Sequence, residues 1–159
     1  MKRAMQMLSS SFLVALAPLA SPQEEPDPAA LKIAAGFVNF AGSEDNILAL
    51  VWALREGVVV RLMFTAAPDS LALPEVVTIQ PPSGPMSWND VKMALMLARD
   101  ALRRYGISRP TLDQLQAVLV GGETITPNGR TATFRGVLQM RADGLNWGAI
   151  AAERYRRAG

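Results

Sequence analysis

The stretch SWNDVKMALMLARDALRRYGISRPTLDQLQAVLVGGETITPNGRTATF, residues 87–134, decides how the chain folds. Ser87 is a helix N-cap with Asp90 three residues on, and Gly106 is the glycine that ends a helix in a left-handed turn. Between them Val91, Leu95, Ala98, Leu102 and Tyr105 recur at helical spacing on one face, with Lys92, Arg99 and Arg103 on the opposite, solvated side. A turn over 107–110 leads to a second helix, announced by Thr111 with Gln114 three positions on. It carries Leu112, Leu115, Val118 and Leu119 and stops at Gly121 and Gly122. Residues 124–126 and 131–134 flank Pro-Asn-Gly-Arg, and Asn-Gly between alternating residues predicts a short β-hairpin packed on a helix.

Upstream, residues 37–40 read as a short strand. Ser43 caps a helix running to Arg55, with Glu44 and Asp45 in the first turn, where the helix dipole favours negative charge. The centre of that helix, 47–54, is apolar on every side, which predicts burial between other elements, and Gly57 supplies its left-handed stop. Residues 58–64 and 76–79 are β-branched strands that share a sheet across a loop containing Pro68 and Pro74. The segment QPPSGPM, 80–86, holds three prolines and a glycine and is an exposed loop. Residues 136–142 are helical up to Gly144, and Asn146 caps a last helix through Trp147, Ile150 and Tyr155. Strands and helices alternate without clean βαβ units, so the fold class is α+β, a helix-rich single domain with a small sheet and a short β-hairpin.

The N-terminus has another character. Lys2 and Arg3 precede a mainly apolar run over 12–20 and then small residues, the layout of a signal peptide over 1–22, cut between Ala20 and Gln23. The run is shorter than the roughly 20 apolar residues that span a bilayer, so no permanent membrane anchor is expected. Residues 23–29 form a flexible Pro- and acid-rich lead-in to a domain over 30–159. The expected location is the periplasm or the medium. The whole chain has 16 basic and 14 acidic side chains, and removal of Lys2 and Arg3 leaves the remainder balanced. A nucleic-acid partner, which needs a clustered basic face, is therefore not expected. Arg154, Arg156 and Arg157 read as a solvated face of the terminal helix.

Cysteine and histidine are both absent. That excludes disulfides, Cys/His zinc sites, histidine-based triads, cysteine nucleophiles and histidine-held haem. The carboxylate pairs Glu44/Asp45 and Asp90/Asp100 are the visible hydrolytic candidates, but Glu44, Asp45 and Asp90 stand in first helical turns where capping accounts for them. Only Lys32 and Lys92 follow the leader, neither with a Ser-Lys motif, and no glycine pair is followed by Lys-Ser/Thr, so no phosphate-binding loop is present. No acidic loop has calcium spacing, and no cofactor is implied.

Two heptapeptide-scale segments echo each other, GPMSWNDV at 84–91 and GLNWGAI at 144–150, each placing Gly, a cap, Trp and an aliphatic residue at a helix start. Local cap chemistry suffices to explain the echo. From residue 40 to 147 the chain resembles small exported proteobacterial proteins. The resemblance rests on NILALVWALREG at 46–57 before a Val-rich strand, GISRPTLDQLQA at 106–117, the double glycine before the hairpin, GVLQMR at 136–141 and GLNWG at 144–148. It implies export and assigns no site residues.

The functional expectation is an exported, non-catalytic binding or interaction module for an unidentified protein or apolar ligand. Its contact residues are Met86 and Trp88, beside the proline loop, with Met93 and Met96 as core filler. A carboxylate-dependent hydrolase outside the cytoplasm is the alternative. A cytoplasmic winged-helix-like DNA binder, with Arg103, Arg104, Arg109 and Arg130 near the helix pair and hairpin, is a further one.

Overall fold

In the structure, a computed structural model, residues 26–64 and 73–156 are described. Asp27 accepts from the Ala29 N–H at 2.7 Å and Pro28 takes the first helical position, where its missing N–H costs nothing, so a helix α1 (Pro28–Ala35) starts inside the expected lead-in. The leader over 1–22 and the rest of the lead-in up to residue 25 lie outside the described residues, as do Pro68 and Arg157.

Residues 37–40 are not a strand. They open a single helical turn, α2 (Val38–Ala41), ended by Gly42 in the left-handed region. Phe37 and Phe40 are both buried, edge-on to each other at 6.2 Å; a three-residue spacing puts both rings on one side only in a helix, whereas a strand would send them to opposite faces. Helix α3 (Glu44–Glu56) follows, with the Ser43 hydroxyl accepting from the Asn46 N–H at 3.1 Å. Strands β1 (Val60–Phe64) and β2 (Glu75–Ile79) pair antiparallel with Val60 opposite Ile79, and their inward residues Val60, Leu62, Val77 and Ile79 are buried.

Helix α4 (Trp88–Arg103) begins at the Ser87 cap, and the chain leaves it through a Schellman turn. Ile107 N–H bonds the Leu102 carbonyl, Gly106 N–H bonds the Arg103 carbonyl, and Gly106 has φ +75°. The helix ends two residues before Tyr105, whose side chain is turned out of the core against Phe134, not inward as its spacing predicts. Helix α5 (Leu112–Val120) has the full capping box, Thr111 and Gln114 each accepting from the other's backbone N–H. Strands β3 (Gly122–Ile125) and β4 (Thr131–Phe134) form the hairpin, followed by α6 (Val137–Ala142) and α7 (Trp147–Arg156).

Two-stranded sheets are marginal alone. Both lean on α5, where the Gln116 amide donates to the Thr78 carbonyl of β2 and the Gln114 amide to the Ile125 carbonyl of β3. One apolar core joins Ile47, Leu50 and Leu54 of α3, Leu62 and Ile79 of the first sheet, Leu95 and Leu102 of α4, Leu115 and Leu119 of α5, Leu138 and Ile150. Among the described residues the fold is α+β with helix in excess, a helix-rich domain with two small antiparallel sheets. No described helix is long and apolar enough to cross a membrane.

Candidate functional site

The proline segment 80–86 has no regular structure, but it is not the loose exposed loop its composition predicts. Pro81 is buried, and the loop is clamped to the end of α3. The Met86 N–H donates to the Arg55 carbonyl at 3.2 Å, and the Arg55 guanidinium donates back to the Met86 carbonyl at 2.9 Å. Gly57, with φ +70°, lies so close to Gly84 and Pro85 that an added Cβ would stand 2.5 Å from the Pro85 nitrogen. This close approach is why α3 must end in glycine here.

The clamp decides where the two expected contact residues stand. Met86 is buried at 5% exposure and belongs to the core, because the bonds that tie its backbone to Arg55 draw its side chain under the loop. It offers no surface. Trp88, the first residue of α4, is half-buried. One side packs on the core, while its ring meets the edge of Trp52 at 5.5 Å, with planes 77° apart, and carries the Arg55 guanidinium 5.3 Å from its centroid. Trp52 itself is 38% exposed, so α3 is not buried on every side. Trp52 and Arg55 are not among the contact residues expected from the sequence; the signal is their three-residue spacing on α3, which places them on one helical face. Val58 and Val59, both about half exposed, continue the chain from Gly57.

The second tryptophan helix start repeats part of this arrangement. Asn146 caps α7 by accepting from the Ala149 N–H at 2.8 Å, and the Arg141 guanidinium lies 5.1 Å from the Trp147 ring centroid. There the indole N–H is committed, donating to Asp90 Oδ1 at 2.7 Å. That bond, and then the Ser87 hydroxyl at 2.9 Å, hold the Asp90 carboxyl below the ordinary carboxylate range, against the opposing effect of partial burial. Asp90 is therefore an ionised structural group joining α4 to α7.

These positions bear on the alternatives. Asp90 and Asp100 lie on the same helix ten residues apart, about 15 Å along its axis at ~1.5 Å per residue, beyond the ~5–9.5 Å of paired glycosidase carboxylates. Glu44 and Asp45 are exposed in the first turn of α3. Among the described residues no three acidic side chains converge to hold a metal ion. In the winged-helix reading α5 would enter the groove, yet it contains no lysine or arginine and its Gln114 and Gln116 are engaged with the two sheets. No family model, no curated protein and no solved structure matches the chain.

Proposed function

We propose that the chain is an exported, non-catalytic binding module that takes a partner protein, in the periplasm or the medium, on the face formed by Trp52, Arg55 and Trp88. The observation that carries this reading is Trp52, 38% exposed while held edge-on to Trp88. Tryptophan and arginine are the residues most enriched at binding hot spots, and an aromatic surface already fixed by stacking loses little freedom when a partner closes over it. The clamped proline loop beside it adds rigid backbone. Export rests on the Lys2/Arg3 start and the apolar run over 12–20.

The test is capture of partners from periplasm and medium by the tagged protein from residue 23 onward. Trp52→Ala should lose the captured partner while the protein stays folded, its thermal midpoint lowered only by the lost ring contact with Trp88. Trp88→Ala should lose the partner too, with some loss of stability from its core-facing side. Retention of every partner by both variants would remove this face from the account.

A further inference from the structure

The polar face of α4 is not the simply solvated face that its pattern predicts. Arg99 is half-buried: its guanidinium lies 4.5 Å from the Phe37 ring centroid and donates to the Gly36 carbonyl at 3.0 Å. Its Nε is fully buried and has no hydrogen-bond partner among the described residues, an unsatisfied donor of the kind that proteins seldom leave inside. Arg103, four residues on, falls on the same helical face, and like charges at that spacing repel. Arg109, from the turn after α4, closes the other side. With Asn39 and Ser108 these three arginines line a cleft of about 230 Å³ between the end of α1, α2 and α4, and no carboxylate is among its described lining residues. None of the three arginines carries an ion pair among the described residues.

Three arginines lining one cleft from two elements, with no carboxylate among its described lining residues, concentrate positive charge there. A ligand that brings negative charge relieves it. The fork of a guanidinium matches the oxygens of phosphate and carboxylate groups, and a triply positive cleft favours a doubly charged tetrahedral group over a single carboxylate. The volume is below the ~300–1,000 Å³ of sites for drug-sized ligands, which suits a small headgroup. We propose that the cleft of Arg99, Arg103 and Arg109 is a binding site for a tetrahedral dianion, a phosphate or sulfate group, free or carried on a larger molecule. It is separate from the tryptophan face, since Arg99 stands eleven residues along α4 from Trp88, about 17 Å along the axis.

The test is calorimetric titration of the full domain with inorganic phosphate, sulfate and acetate at matched ionic strength. Phosphate or sulfate should bind saturably and acetate should not. Arg103→Gln and Arg109→Gln, both on exposed side chains, should each weaken binding about ten- to hundredfold, and the double variant should abolish it with the fold intact by circular dichroism. Absence of saturable binding up to about 10 mM, equal binding of acetate, or binding retained in the double variant would each overturn the proposal. Arg99→Gln is less useful alone, because Arg99 also braces Phe37 and Gly36.

Discussion

Asn46 is the buried polar residue on which the joint between α3 and the first sheet depends. At 7% exposure its amide donates to the carbonyls of Ala41 at 3.0 Å and Met63 at 2.9 Å, and its oxygen accepts from the Met63 N–H at 3.1 Å. Asn46→Ala should lower unfolding stability by about 3 kcal/mol, since one backbone donor and two acceptors lose their partner in partly buried positions. Asn46→Asp should cost at least as much, because a carboxylate would face two carbonyl oxygens. A denaturant midpoint within error of the native chain for either variant would contradict this. Asp90 has the opposite chemistry. Its folded carboxyl is held below the ordinary range by Trp147 and Ser87, so folding favours the ionised form. The contribution is present above the unfolded value, near pH ~4, and is lost as the pH falls through the folded one. Asp90→Asn should therefore be less stable than the native chain by up to about 1 kcal/mol at neutral pH, a gap that closes below pH ~4 in urea titrations. A gap independent of pH would assign the loss to packing.

At the scale of elements, helix ends were legible in the sequence because they are local chemistry. Ser43, Ser87, Thr111 and Asn146 cap as their spacing predicts, and Gly57 and Gly106 end helices with positive φ. The hairpin was legible for the same reason. The misreadings came where tertiary contact decides. Four residues over 37–40 carry no period of their own, and the burial of both rings selects a helical turn. Pro28 reads as part of a linker until Asp27 caps in front of it. The two terminating glycines also separate local strain from tertiary fit. An added Cβ at Gly106 meets nothing within 4 Å, so Gly106→Ala should cost only the left-handed penalty of about 1–2 kcal/mol. Gly57→Ala adds a backbone clash with Gly84 and Pro85, and should cost about 1–3 kcal/mol more while shifting the near-ultraviolet signal of the Trp52–Trp88 pair. Equal costs at the two sites would show that the loop yields freely.

For the molecule as a whole, the sequence carried the fold class but only the edge of the candidate site. Trp88 stands out in the sequence because it adjoins a conspicuous loop. Met86 was misplaced because burial under that loop depends on Arg55, which is remote in sequence, and Trp52 was hidden inside an apolar run. The arginine cleft joins residues from three segments, of which only Arg99 and Arg103 share a readable spacing. What unites these observations is that α3 and α4, tied by the proline loop, hold an aromatic pair at the surface in one geometry. The most direct test of that claim is the equilibrium affinity of Trp52→Ala for a purified partner captured by the native chain, with thermal midpoints measured alongside. The account predicts a loss of about 30-fold or more, the ~2 kcal/mol of a hot spot, in a protein that stays folded with its midpoint lowered only by the lost Trp52–Trp88 contact. An affinity within about threefold of the native chain's would contradict it.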